Sequence, residues 1–421
     1  MKKLFHPVIG LMLCLVTAAC LADDWPQFRG PRRDGKSDET NLLKKWPENG
    51  PQQLWLFEGL GEGYSSVAVA DGLIYTTGMI DKNGVLFAID LKGRLLWKKI
   101  YGPEWNGSTP GVRTTPTVDT DRLYLMSGVG MVYCYDAKSG DEKWQVDTFN
   151  KFKVGKYPSW GIAESVLIVD DKAVCTPGGP DATMVALDKT TGQTIWTTKG
   201  LSEASSYCSP ILVEWAGRKI IVNQTADSIV GVAAENGKLL WQVKFSDYQK
   251  KPKDINPVSP VFYNGFIYAT SGYDDGGLLL KLSPDGAGVT RLWTDETLDT
   301  HHGGVVLADG FIYGANWLSN SKGNWVCLEL TTGKVMYETE WFNKGSLIYA
   351  EGMLYCYEES KGNVALVPAA PQTFSPISTF QIKQGNGQHW AHPAVANGIL
   401  YIRHGDALMA YDIKAVPAAP N

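Results

Sequence analysis

The sequence carries no surplus of positive charge. Its 39 lysines and arginines are outnumbered by 44 aspartates and glutamates, for a formal net charge of −5, which leaves no electrostatic footprint for a nucleic-acid backbone. Long apolar runs are missing as well: Val8 to Ala19 is twelve residues, short of the about 20 that a spanning helix needs. Cysteine is scarce and scattered. Past residue 22 only Cys134, Cys175, Cys208, Cys327 and Cys356 remain, none adjacent to another, none in Cys-x-x-Cys spacing, and none in the Cys-x-x-Cys-His pattern that attaches a haem. All but Cys208 sit inside alternating apolar stretches, so the thiols are expected to be reduced, buried and free. A Gly-x-Ser-x-Gly nucleophile turn is also absent. What is plentiful is glycine (45), tyrosine (19) and tryptophan (15) in 421 residues, a composition that favours tight turns and aromatic-packed sheets.

The first 22 residues read as an address. Met1-Lys2-Lys3 is a short basic start, the apolar run follows, and Asp23-Asp24 comes directly after, which is the pattern of a secretory signal peptide. Cleavage after Ala22 is one reading. The other takes Thr17-Ala-Ala-Cys20 as a lipobox, with Cys20 kept as a lipid anchor, although Thr17 stands where an aliphatic residue is usual. Both place the mature protein outside the cytoplasm, periplasmic or secreted. The remaining segments are expected to be an N-terminal extension over 23–51, a single repeat domain over 52–412 and a C-terminal tail over 413–421.

The repeat is the main signal. One unit recurs as Asp71-Gly-Leu-Ile-Tyr75, Asn264-Gly-Phe-Ile-Tyr268, Asp309-Gly-Phe-Ile-Tyr313, Glu351-Gly-Met-Leu-Tyr355 and Asn397-Gly-Ile-Leu-Tyr401, where Asp-Gly and Asn-Gly supply the positive φ of a tight hairpin. A second unit places an aromatic four residues after a glycine: Gly93 and Trp97, Gly140 and Trp144, Gly192 and Trp196, Gly237 and Trp241, Gly333 and Tyr337. Four short antiparallel strands per repeat describe a propeller blade. The aromatic positions Trp55, Trp97, Trp144, Trp196, Trp241, Trp293, Tyr337 and Phe380 are spaced by about 46 residues on average, a blade period. Trp55 has no inner strands before it, and the last unit lacks its fourth strand. The expected fold is therefore all-β, an eight-bladed propeller closed by the strand around Trp55. The tryptophans are expected to wedge between blades as core.

The unit Ala186-Leu-Asp188-Lys-Thr-Thr-Gly192-Gln-Thr-Ile-Trp196 resembles the repeat of pyrroloquinoline-quinone-type (PQQ-like) β-propellers, and the likeness extends from Trp25 to Asp412. Asp24-Trp-Pro-Gln-Phe-Arg-Gly-Pro31, Arg113-Thr-Thr-Pro-Thr117, Cys175-Thr-Pro-Gly-Gly-Pro180 and His301-His-Gly-Gly-Val305 resemble a bacterial extracytoplasmic subfamily of that group. Family members include quinoprotein alcohol dehydrogenases and a protein-binding outer-membrane-assembly lipoprotein, so the fold does not choose between them. In the dehydrogenases, the resemblance implies a quinone held between a tryptophan and a ring of two adjacent disulfide-linked cysteines, beside calcium. This chain has no adjacent cysteines. Of possible oxygen donors, Asn223, Asp227, Asn256, Asp274 and Asp275 lie in loops, where they read as solvated turn residues rather than a calcium set.

Chemistry is expected where the longer second-to-third and blade-to-blade loops gather. The residues entering each innermost strand would ring the channel mouth there: Tyr64, Arg113, Trp160, Tyr207, Asn256, His301, His302, Lys344, Trp390 and His392. Stacking of Trp160 with Trp390, with charge from Arg113 or Lys344, would suit a planar anionic molecule; the bland alternative is a channel lined by polar groups and water. His301-His302 suggests no metal site, since neighbours on an extended strand face opposite ways. Two functions follow as expectations. The first is a non-catalytic monomeric scaffold for a protein or saccharide partner. The alternative is a dehydrogenase using pyrroloquinoline quinone with calcium on an alcohol or sugar.

Overall fold

The computed structural model describes residues 24–155, 158–249, 251 and 253–415. The leader 1–22, the candidate anchor Cys20 and the end of the tail lie outside them. Among the described residues the chain forms eight separate sheets, each with four consecutive antiparallel strands at its heart. Blades 1 to 7 begin with the innermost strands Ala68–Ala70, Thr117–Asp119, Leu167–Val169, Ile211–Trp215, Val261–Tyr263, Val306–Ala308 and Gly345–Ala350. Blade 8 has only Ala394–Ala396, Ile399–His404 and Ala407–Asp412 from the C-terminal end. Its outer strand is Gln52–Glu58, antiparallel to Ala407–Asp412. The closure expected around Trp55 is observed, and blade 8 ties both ends of the domain together without a free edge between first and last blades.

Local sequence explains the hairpins. Asp71 and Gly72, Asn264 and Gly265, Asp309 and Gly310, Glu351 and Gly352, and Asn397 and Gly398 all have both φ values positive, the geometry of a type I′ turn. In the third-to-fourth turns a carboxylate organises the loop. Asp188 Oδ1 accepts from the Thr190 and Thr191 N–H groups and the Thr191 hydroxyl. Asp136 does the same for Lys138 and Ser139, and the N–H of Ser139, with Lys143, holds its carboxyl down at about 2.

The tryptophans join the blades. The ladder skips a residue just before Trp55, Trp97, Trp144, Trp196, Trp241, Trp293 and Tyr337, and such a bulge turns the side chain out of its own sheet. The Trp144 ring then covers Gly192 of blade 3, where a Cβ would approach it to 2.8 Å, and its Nε1–H donates to Lys189 O. Trp55, Trp196 and Trp293 repeat the donation to Leu91 O, Ala234 O and Leu330 O. Glycine after the turn is thus required twice, by positive φ and by the neighbouring indole. The repeat departs at blade 4, where Trp215 covers Gly265 and donates to Ser283 O. All five cysteines are buried and free.

The N-terminal extension does more than precede the domain. Trp25 bridges to Val69 of blade 1, Pro26 O accepts from Val118 N of blade 2, and Lys36–Ser37 adds a parallel strand inside blade 7 against Tyr349–Ala350. Between these points run two arginines, each about 1% exposed. Arg33 donates to the carbonyls of Ser165, Val166 and Pro210; Arg29 donates to Val305 O and faces His392 Nδ1 at 3.2 Å. The extension is therefore a plug across the channel, bonded to blades 1 to 4 and 6 to 8. Gly30 to Ser37 also has the Gly-x-x-x-x-Gly-Lys-Ser spacing of a phosphate-binding loop. It is not such a loop, because no helix follows and Lys36–Ser37 is a strand. At the start of the tail, Ile413 is buried and its carbonyl accepts from Leu43 N.

Candidate functional site

The plug enters on the side of the tight hairpins, where Val69 and Val118 end their strands. The opposite mouth, termed the cup below, is bounded by loops and backed by the plug through the contact of Arg29 with His392. On its rim the rings of Tyr64 and Trp390 lie 5.0 Å apart, Trp390 and His302 5.0 Å, and His302 and His301 4.3 Å. The arc continues through Tyr273, edge-on to His301 at 4.8 Å, to Trp317 at 5.2 Å from Tyr273. Arg113 stands 5.4 Å above Tyr64, anchored by the carbonyls of Gly111 and Thr109. Burial lowers its pKa against the opposing pull of Tyr64, Glu104 and Tyr207. Trp160 and Tyr207 form a second pair at 5.8 Å, so Arg113 sits between the two aromatic groups.

Four of the ring residues differ from the sequence expectation. Trp160 and Trp390 do not stack on each other; each has the separate ring partners just given. Asn256 is fully buried, its amide donating to the Ser206 hydroxyl, Thr225 O and Lys253 O, so it ties a loop down. Lys344 is 2% exposed. It pairs with Glu359 at 2.6 Å and donates to Ser319 O and Asn320 O, leaving no free charge for an anion. His392 lies at the base of the cup between the plug and the rim.

His392 also shows how plug and cup are linked. Arg29 donates to its Nδ1, so Nε2 carries the hydrogen and donates to His302 O at 2.8 Å. Burial, with the Arg29 charge beside it, drives its pKa down to about 3. Gly303 and Gly304 explain the His-His-Gly-Gly sequence. Gly304 has φ +71 and a Cβ there would overlap the Arg29 guanidinium, while one at Gly303 would overlap Gly345 O.

The two adjacent histidines are not on a strand, which removes the reason for expecting only one to face the channel. They occupy a bend before Val306–Ala308, and both rings point the same way. Burial lowers the pKa of His301 to about 3 and of His302 well below its usual value, so both are neutral. Glu359 lies beside them with Oε2 3.5 Å from His302 Nε2, and burial raises its pKa against the opposing pull of Lys344. Tyr273, Trp317 and Glu359 lie in second-to-third loops, where function is expected, but outside the set of residues that enter the innermost strands.

These residues do not fit a calcium-bound quinone. The five thiols belong to different blades and are buried, so no cysteine ring exists to cover a quinone. Among the described residues, the one group of three His, Cys, Asp or Glu side chains close enough to share an ion is His301, His302 and Glu359. Calcium takes six to eight oxygens (about 6–8), whereas two of these three donors are imidazole nitrogens.

Comparison with known proteins agrees with the architecture. The sequence model of the family described as outer membrane protein assembly factor BamB matches residues 81–339. The chain is 25% identical over 392 residues to the outer membrane protein assembly factor BamB of Burkholderia pseudomallei, covering 80% of this chain and 92% of that protein. It is 30% identical over 139 residues to quinohemoprotein alcohol dehydrogenase ADH-IIG of Pseudomonas putida, a match spanning 30% of this chain and only 18% of the dehydrogenase. Among solved structures, BamB from Moraxella catarrhalis aligns with TM-score 0.64 at 14% identity, over 86% of this chain and 99% of that one. Quinohemoprotein alcohol dehydrogenase from Comamonas testosteroni aligns with TM-score 0.70 at 12% identity, over 96% and 82%. At such identities the structures speak for the fold. With the blades, the closing strand and the family match all in agreement, the chain belongs to the PQQ-like β-propeller family whose model is described as outer membrane protein assembly factor BamB.

Proposed function

We propose that this protein is an extracytoplasmic, non-catalytic scaffold that receives a protein partner at the loop-side cup. The observation that carries this reading is the cup itself: an aromatic recess with Arg113 at its rim, lacking the cysteine pair and oxygen donors that a calcium-bound quinone needs. Half-exposed aromatics and a guanidinium are the side chains that anchor protein interfaces. The match over nearly the whole of a relative named for outer membrane protein assembly supports the same reading, as does the leader sequence. A saccharide would also stack on Trp160 or Trp390 and is the alternative ligand class.

The test places photo-crosslinking side chains at positions 160 and 390, and at position 96 on an outer strand as control. A scaffold yields a discrete adduct with an envelope protein from 160 or 390, and Arg113→Ala reduces it. Adducts of equal yield from position 96 would refute the cup as the docking place. The dehydrogenase alternative is favoured only by the fold likeness and the aromatic rim. Saturable uptake of pyrroloquinoline quinone with calcium, together with alcohol oxidation through an artificial acceptor, would replace the scaffold reading.

A further inference from the structure

We propose that His301, His302 and Glu359 form a binding site for a divalent transition metal of the zinc and copper class, on the wall of the cup between blades 6 and 7. One ring nitrogen from each histidine and one carboxylate oxygen lie within 4.8 Å of one another. Ligand atoms sharing a tetrahedral zinc ion at about 2.0–2.1 Å are about 3.4 Å apart, so the cluster has to contract by roughly 1 Å around the ion.

Two further observations point to a ligand. His301 Nδ1 and His302 Nε2 are buried nitrogens without any hydrogen-bond partner, an unfavourable state unless something occupies the space between them. The nitrogens left over are the ones that outer partners leave bare. His301 Nε2 is 2.7 Å from Tyr273 Oη; donating its hydrogen there leaves Nδ1 with an open lone pair. His302 is held through its main chain, whose carbonyl accepts from His392 Nε2. Glu359 Oε1 is fixed by Lys344, which leaves Oε2 toward His302. Ligands steadied by outer hydrogen bonds in this way are the usual design of a metal centre.

The donor set defines the ion. Two nitrogens and one oxygen suit zinc, copper or nickel and disfavour calcium and magnesium. Three protein ligands leave coordination open for water or for an anionic group entering the cup. Since Lys344 already neutralises Glu359, a bound dication adds net positive charge beside Arg113 and would strengthen the cup's preference for anions. This goes beyond the scaffold reading and is tested without it, because metal binding is read directly.

The experiment titrates the metal-stripped protein with Zn2+ against a chromophoric chelator and with Co2+ for its ligand-field spectrum. One equivalent held in the micromolar range or tighter is expected, with a nitrogen-rich tetrahedral cobalt spectrum. His302→Gln and Glu359→Gln should each weaken binding by more than about 100-fold, and Tyr273→Phe, an outer partner, by about 10-fold. His404→Gln, outside the cluster, should leave binding unchanged. Absence of Zn2+ binding, or binding indifferent to His302→Gln, overturns the proposal. If a variant fails to fold, anomalous scattering from zinc-soaked crystals of the unaltered protein decides: a peak anywhere but between the three side chains overturns it equally.

Discussion

The two ends of the central channel are built from opposite materials. The extension that enters from the hairpin end buries Arg29 and Arg33, each about 1% exposed, among the carbonyls that lead into the innermost strands. At the loop end aromatic rings are half-buried, Arg113 is held by carbonyls of its own loop over the Tyr64 ring, and two imidazole nitrogens have no hydrogen-bond partner. The hairpin end converts loose strand ends into a closed hydrogen-bonded core. The loop end keeps recognition groups available. In this propeller, closure of the ring and of its axis belongs to the N-terminal segment, and binding capacity belongs to the loops.

Removing the plug should produce the largest effect. Deleting residues 24–58 takes away both the channel filling and the outer strand of blade 8, and no cooperative melting is expected by circular dichroism. A melting temperature equal to that of the parent would dissolve the distinction between the two ends. Arg33→Ala isolates the plug alone. It leaves the Ser165 and Pro210 carbonyls without the guanidinium donor, beside a cavity, and should cost on the order of 3–5 kcal/mol in denaturant unfolding.

A matched pair of tryptophans sharpens the contrast. Trp144→Ala empties an inter-blade seam and should cost about 3–5 kcal/mol. Trp160→Ala, at the cup, should cost under about 1 kcal/mol while abolishing the crosslinked partner. If Trp160→Ala unfolds the protein instead, the cup residues are core.

Acidity should act on the axis next. His301, His302 and His392 are neutral in the folded protein down to far lower pH than in the unfolded chain, where they protonate near about 6.5. Between those limits the unfolded state binds more protons, so stability is full above about 6.5 and falls as pH drops toward about 3. His392→Gln should flatten the fall of melting temperature between neutral and acid pH. Glu164 acts in the other direction. Burial raises its pKa to about 8, so the folded state holds the extra proton, and its contribution is lost as pH rises from about 4.5 through 8. Glu164→Gln should remove the fall that this group contributes between about pH 4.5 and 8. An unchanged pH profile in both variants would assign the dependence to surface groups.

The smallest effect concerns the thiols. Burial raises Cys175 and Cys356 well above the usual thiol range and Cys208 to about 12. Negligible reaction is expected in the native protein and five thiols after denaturation without reductant. A count of three or fewer would reveal a disulfide.

The legible parts of this protein are those where neighbours in sequence are neighbours in space. Asp71-Gly72 dictates its own hairpin through positive φ, and Asp188 folds the turn up to Gly192 with hydrogen bonds no farther than three residues away. The aromatic count gave eight blades and an unpaired Trp55 strand, so closure could be inferred by arithmetic. Two judgements failed for want of three-dimensional information. His301-His302 was weighed as if on a strand, whereas the clash of any Cβ at Gly303 with Gly345 O and at Gly304 with Arg29 keeps the segment in a bend. Lys344 was taken as a free cation because its partner Glu359 lies on another loop.

By itself, then, the sequence determined the all-β class, the blade number, the closing strand and the loops at which a site would gather, because each follows from local turn chemistry repeated at a regular period. Tertiary structure alone decided that residues 24–37 fill the channel and that Arg29, His392 and His302 form one hydrogen-bonded line. It also decided that two histidines and Glu359 meet. Those pairings join residues up to 363 positions apart, and such distances are bridged only once eight separate blades have closed around a common axis.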